Sequence, residues 1–158
     1  MRSQRLTLLT LLGMLGAMTL LAGCAPKKVR IYEGPVEPSQ KGEAIVQYAS
    51  GLIGKPYRIG AKGPEAFDCS GFVYYVYKRY NITIPYTTDE LVRTGYEVSR
   101  ENVLTGDLVV FTIKKNYHIG IMMNHREFIH ASTSRGVTVG SLDLPYWRKG
   151  LSHFRRVM

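Results

Sequence analysis

Twelve residues from Cys69 to Tyr80 constrain the fold more than any other stretch of this chain. Read as a helix beginning at Cys69, they place Phe72, Val73, Val76, Tyr77 and Tyr80 on one face, the i, i+3, i+4, i+7, i+8 spacing of a helix buried along one side. A short amphipathic helix is marginal on its own in water, so an apolar surface must cover that face. Asp68 stands where an N-cap belongs, because its carboxylate can accept a free backbone N–H of the first turn. Cys69 then lies against unpaired N–H groups and the positive end of the helix dipole. Both favour the thiolate, so its pKa is expected below the ordinary value of about 8.5. Two readings of Cys69 stay open on this stretch alone: an activated nucleophile, or a small buried hydrophobe, the usual setting of a free cysteine.

Two histidines bear on that choice. His118 opens the apolar run His118-Ile119-Gly120-Ile121-Met122-Met123, and His130 lies in Phe128-Ile129-His130-Ala131-Ser132; both runs read as strands around a turn at Asn124-His125-Arg126. A three-residue loop pairs Met123 with Glu127 and Gly120 with His130, and both imidazoles then share one face of the sheet. A two-residue loop without a bulge would put them on opposite faces. A thiol nucleophile needs a base that takes its proton and returns it to the leaving amine, and the base needs a third polar group to fix its tautomer. Cys69, His118 and His130 supply residue types for those three roles. His125 in the turn and His153 near the end of the chain read as solvated or structural.

With these residues in view, the chain resembles the NlpC/P60 family of papain-like cell-wall cysteine peptidases from about Ala44 to Val157. The resemblance rests on Asp68-Cys69-Ser70-Gly71, Thr105-Gly106-Asp107-Leu108-Val109-Val110-Phe111, His118-Ile119-Gly120-Ile121, Ile129-His130-Ala131, and Tyr146-Trp147 followed by Arg155-Arg156-Val157. It implies Cys69 as nucleophile, His118 as general base and acid, and His130 as the orienting third residue. It also implies that Tyr57, in Pro56-Tyr57-Arg58-Ile59-Gly60, supports the oxyanion together with the backbone N–H of Cys69. Preorganised donors of that kind are worth about 3 kcal/mol of barrier. Asp68 and Ser70, which flank the cysteine, are implied as holders of the free amino end of a stem peptide. Two positions depart from the family pattern: Gly60-Ala61 replaces paired glycines, and Leu91 stands where a glutamine is common.

The N-terminal region reads as an export signal. Arg2 and Arg5 precede an apolar run from Leu6 to Leu20, and Leu21-Ala22-Gly23-Cys24 resembles the bacterial lipobox, in which cleavage precedes the cysteine and that cysteine receives lipid. Residues 1–23 are thus expected to be a lipoprotein signal peptide, 24–39 the lipidated Cys24 with a Pro- and Gly-containing tether, and 40–158 the catalytic domain. Acylation with more than one chain suffices for stable anchoring, and a lipidated Cys24 cannot pair with Cys69 in a disulfide. In a two-membrane cell, Ala25 after the lipidated cysteine favours the outer membrane facing the periplasm by analogy with sorting rules; otherwise the outer face of the plasma membrane is expected. Loss of Arg2 and Arg5 lowers the formal charge from +9 to +7. That excess suits an anionic surface or wall polymer, and no basic–aromatic motif of a nucleic-acid binder is present.

Along the remaining chain, Ala44, Ile45, Tyr48, Ala49, Leu52 and Ile53 define a first helical face, with Ser39 as a cap and Gly54 and Pro56 as stops. Thr87-Thr88-Asp89-Glu90 is a capping-box signature for a short helix ending at Gly95. Strands are expected at Tyr96–Val98, Asp107–Ile113, His118–Met123, Glu127–Ser132, Val137–Val139 and Leu151–Val157. Helices first and strands afterwards predict an α+β fold, N-terminal helices packed on a central antiparallel sheet. The Lys114-Lys115 pair reads as a solvated hairpin tip, close enough in sequence to border the cleft.

The expected activity is a monomeric peptidoglycan hydrolase that cuts a stem peptide or cross-link through a thioester. For the family the usual bond is that between γ-linked D-glutamate and diaminopimelate, or a D,L cross-link. An amidase or acyltransferase on the same catalytic set, and a non-catalytic wall-binding lipoprotein, are the alternatives. No cofactor is expected. Cys69, His118 and His130 are of zinc-ligand type, but the sequence offers no fourth ligand or close-spaced metal motif.

Overall fold

The computed structural model describes residues 40–158, so the expectations for the signal peptide, Cys24 and the tether lie outside the described residues. Among the described residues the first element is helix α1 (Gln40–Ser50), followed by α2 (Cys69–Lys78) and a one-turn α3 (Thr88–Leu91). Strands β1 (Tyr96–Val98), β2 (Leu108–Ile113), β3 (Asn116–Met122), β4 (Glu127–Ser132) and β5 (Gly136–Ser141) come next, then α4 (Pro145–Gly150) and β6 (Leu151–Arg156). The six strands form one antiparallel sheet in the order β1-β6-β2-β3-β4-β5, an α+β arrangement. Among the described residues no helix is long and apolar enough to cross a membrane.

The α2 helix forms for the reasons its sequence suggests. Asp68 caps it, accepting the Gly71 N–H at 2.6 Å, and Phe72, Val73, Val76 and Tyr77 are fully buried. Tyr80 falls beyond the last helical turn and hydrogen-bonds from its hydroxyl to the Ala44 carbonyl at 2.6 Å, tying α2 to α1. The Tyr77 hydroxyl donates to the Gly106 carbonyl before β2. Gly42 lets α1 approach that same turn, since a Cβ there would sit 2.0 Å from the Thr105 carbonyl oxygen.

Residues on β2 alternate between two apolar layers. Leu108 and Val110 join Ile119, Ile121, Ile129 and Ala131 beneath α1 and α2. Val109 and Phe111 face the other way, with Met122, Phe128, Trp147 and Phe154. The strand is buried on both sides, which is why it reads Leu-Val-Val-Phe rather than as an apolar–polar alternation. The β3–β4 register places Ile121 opposite Ile129 and Met122 opposite Phe128, and Met123 N–H meets the Glu127 carbonyl at 2.9 Å. That is the three-residue-loop register, so His118 and His130 lie on one face.

Several expectations are corrected. Ile53 lies beyond α1 and is 49% exposed, because the helix stops at Ser50 and a turn follows. The capping box is incomplete: the Thr87 hydroxyl donates to the Glu90 carboxylate at 2.5 Å and makes no bond to a backbone N–H, and the helix ends at Leu91 rather than near Gly95. A fourth helix, α4, interrupts the expected run of strands. Pro145 in its first turn is a start signal that the sequence carries openly.

Candidate active site

Cys69 is the first residue of α2, placed by the Asp68 cap. The Asp68 carboxylate also accepts the Gly60 N–H at 2.8 Å and the Ser70 hydroxyl at 3.0 Å, so it ties the 58–61 loop to the helix start. Gly71 is required at that crossing: a Cβ on it would lie 2.1 Å from the Ala61 carbonyl oxygen. The Cys69 sulfur lies 3.5 Å from the Thr88 hydroxyl of α3 and receives the backbone N–H groups of Ser70 and Ile119.

The two histidines meet edge to edge. His118 Nε2 and His130 Nδ1 are 2.8 Å apart, with the rings nearly perpendicular at 88°. This contact leaves His118 Nδ1 as the nitrogen available to a reacting proton. Phe111, Phe128 and Trp147 wall in the pair; the indole of Trp147 stacks on His118 with ring centroids 5.5 Å apart. A cleft of about 710 Å³ brings together Tyr57, Cys69, His118, His130 and Trp147, with Lys114 and Arg135 on its rim and no carboxylate among its lining residues.

Four of the sequence-derived site residues therefore share one cleft, whereas Asp68 and Ser70 do not line it. Their polar groups are engaged with each other and with the surrounding backbone. In this arrangement they brace the start of α2. His125 is exposed in the turn, and His153 Nε2 bonds to the Val92 carbonyl at 2.9 Å, both consistent with roles away from the chemistry. Thr88 beside the sulfur escaped the sequence reading, although it stands in the capping motif; a helix-start residue gives no sign of its tertiary contact. Among the described residues no three His, Cys, Asp or Glu side chains converge as metal ligands would.

The electrostatics differ from the sequence expectation. Burial raises the Cys69 pKa, aided by the nearby Asp68 carboxylate, and outweighs the opposing hydrogen bonds from Thr88 and from the Ser70 and Ile119 N–H groups. The helix start does not win here because the thiol is covered by neighbouring elements, and desolvation penalises the anion. Burial likewise lowers His118 to about 4 and His130 to about 3, the second helped by the positive charges of His118 and Arg135. At rest the site holds a neutral thiol and neutral imidazoles. Tyr57 is raised by burial first and by the nearness of Cys69 and Asp68, which keeps its hydroxyl a donor.

The buried imidazoles also carry a stability signature. Unfolded, both titrate near 6.5; folded, they stay neutral down to about 4 and about 3. Between 6.5 and those values the unfolded chain binds protons that the native state does not, so stability falls as pH drops through that window. Calorimetry is expected to give a melting temperature that declines from pH 7 to pH 4, equivalent to a few kcal/mol, with a smaller decline for His130→Asn. A melting temperature that stays level over this range in the unaltered protein would contradict the burial of the rings.

The sequence pattern of the NlpC/P60 family matches residues 54–156, which contain all of these groups. This chain belongs to the NlpC/P60 family. The chain is 39% identical over 120 residues to the murein DD-endopeptidase MepS/murein LD-carboxypeptidase of Escherichia coli K12, a match covering 75% of this chain and 63% of that protein. It is 34% identical over 148 residues to the probable endopeptidase NlpC of the same organism, covering 87% of this chain and 93% of that one. A crystal structure of an NLP/P60 family protein similar to lipoproteins, from Staphylococcus aureus, superposes with a TM-score of 0.70 at 30% identity, covering 80% of this chain and 45% of that one. The arrangement of α2 against the sheet is thus the papain-like one of the NlpC/P60 fold.

Proposed function

We propose that this chain is a lipid-anchored peptidoglycan hydrolase that cleaves a peptide bond in the stem peptide or cross-link by way of a thioester on Cys69. The observation that carries the reading is the 2.8 Å contact of His118 with His130 in the same cleft as Cys69. As substrate enters, His118 Nδ1 takes the thiol proton while the sulfur bonds to the scissile carbonyl carbon. The Cys69 N–H and the Tyr57 hydroxyl hold the resulting oxyanion. The intermediate collapses with rupture of the C–N bond, and His118 passes its proton to the departing amine. Water then attacks the thioester with His118 again as base, releasing the acid and restoring the thiol. His130 keeps the His118 ring in register throughout.

The substrate class is supported by the names of the relatives, one a murein endopeptidase, and by a cleft rim that offers Lys114 and Arg135 to an anionic peptide without an opposing carboxylate. Within that class, the bond from D-glutamate to diaminopimelate or a D,L cross-link is the assignment that fits the family. The Leu21-Ala22-Gly23-Cys24 sequence supports attachment through lipid on Cys24, hence a place in the cell envelope, at the outer membrane if the cell has two.

Mass spectrometry of soluble muropeptides after incubation with the full chain, beside Cys69→Ala, tests reaction and bond together. New fragments split within the stem peptide or cross-link, absent with Cys69→Ala, are the expected result. Cleavage only at the sugar–peptide amide would replace the reading with an amidase, and no Cys69-dependent product at all would favour a binding protein.

A further inference from the structure

We infer that Trp147 is a positioning residue for the histidine pair: the face of its indole accepts the buried Nε2–H of His130 and so fixes the protons on both imidazoles. The inference rests on the reading of Cys69 and His118 as nucleophile and base, and it accounts for a group that this reading leaves unexplained. Only one proton can lie between His118 Nε2 and His130 Nδ1, 2.8 Å apart. For His118 to receive the thiol proton at Nδ1, that intervening proton must belong to His118 Nε2. His130 Nδ1 is then the acceptor, and the proton of neutral His130 must sit on its Nε2. Yet His130 Nε2 is buried with no hydrogen-bond partner among the described residues, and His130 as a whole is 1% exposed.

Aromatic rings pack against the His130 imidazole. Trp147 meets His130 at 78°, close to edge-on-face, with centroids 4.8 Å apart; Phe128 is 5.1 Å away but tilted at 42°. An aromatic face is electron-rich. It attracts an N–H and repels a nitrogen lone pair, so it favours the Nε2–H form of His130 over the alternative. The consequence passes along the pair: His130 Nδ1 must accept, His118 Nε2 must donate, and His118 Nδ1 is left unprotonated toward the cleft. The same indole lies within 29° of parallel to His118. Once His118 has taken the thiol proton, the indole face also steadies the imidazolium. Helix α4 thus has a chemical reason to lie where it does.

Nitrogen NMR of the unaltered full chain, labelled in histidine, reads the tautomers directly. The expected pattern is a protonated Nε2 and bare Nδ1 on both His118 and His130. A protonated Nδ1 on His130 would overturn the inference and also remove His118 Nδ1 as the resting base, whereas muropeptide cleavage that still depends on Cys69 would uphold the nucleophile. The second arm is a double-mutant comparison. Trp147→Leu should lower kcat about 20- to 100-fold with KM little changed, and Trp147→Phe, which keeps an aromatic face, should recover part of that loss. In a His130→Asn background the carboxamide oxygen accepts from His118 without any tautomer to fix, so adding Trp147→Leu should cost threefold or less. Equal losses in the two backgrounds would show that the indole serves packing alone. If Trp147→Leu fails to fold, Trp147→Phe in the two backgrounds makes the same comparison, with a smaller loss expected in the His130→Asn background.

Discussion

Replacing Cys69 by Ala, His118 by Ala, or both at once is expected to leave the same residual rate, lower by about 10⁵-fold or more, because nucleophile and base act as one unit. The sulfur without a base stays a thiol, since burial raises its pKa. His118 without the sulfur has no proton to take. Two losses that multiplied would mean the residues work in separate steps, and the mechanism would have to be abandoned. A melting temperature near that of the parent at pH 7 is expected for Cys69→Ala, since Cys69 is only partly buried. His118→Ala takes away the 2.8 Å partner of buried His130 and should melt somewhat lower, by about 1–3 kcal/mol of stability. The measurement is single-turnover cleavage of purified muropeptides, which separates chemistry from product release.

The largest expected stability effect lies away from the cleft, at Asp107 and Arg156. Asp107 is fully buried and Arg156 is 5% exposed; guanidinium and carboxylate meet through two bonds of 2.7 Å. Asp107 also accepts the Leu104 N–H at 2.7 Å, and Arg156 donates to the Asn102 carbonyl at 2.8 Å, so the pair fastens β6 to the turn leading into β2. Burial raises the Asp107 pKa and the guanidinium works against it without fully offsetting it. A buried pair of this kind adds little net stability, because the cost of desolvating both charges offsets their attraction. Breaking it is another matter, because one charge is then stranded in the interior. Arg156→Met or Asp107→Asn should each cost about 3–5 kcal/mol in urea denaturation, and Asp107→Leu with Arg156→Met should regain much of it. A single substitution that cost less than about 1 kcal/mol would show that water reaches the site.

Much of this architecture is legible in the sequence because local rules and tertiary demands agree there. The Asp68 cap and the Phe72-Val73-Val76-Tyr77 face specify α2, and the parity of the β3–β4 turn specifies that His118 and His130 share a face. What stayed hidden depends on contacts between distant segments. The Thr88 hydroxyl beside Cys69, the Asp107–Arg156 pair and the placement of β6 between β1 and β2 join residues 19 and 49 positions apart or separate strands by topology. No local pattern encodes such a distance. The raised thiol pKa belongs to the same class: the helix start is visible in the sequence, but the cover placed over it is not. Trp147 lay between, present in a recognised motif yet silent about the rings it would touch.

The Cys69 sulfur rides on a helix while the two imidazoles ride on a hairpin, and these two layers are held together by Phe72, Val76, Ile119, Ile129 and their neighbours rather than by any cross-link between them. Turnover is therefore a gauge of how well the layers seat against one another. A slip of α2 by a fraction of its pitch would silence the enzyme while every helix and strand kept its spectroscopic signal, so on gentle heating the chemistry should fade before the secondary structure does.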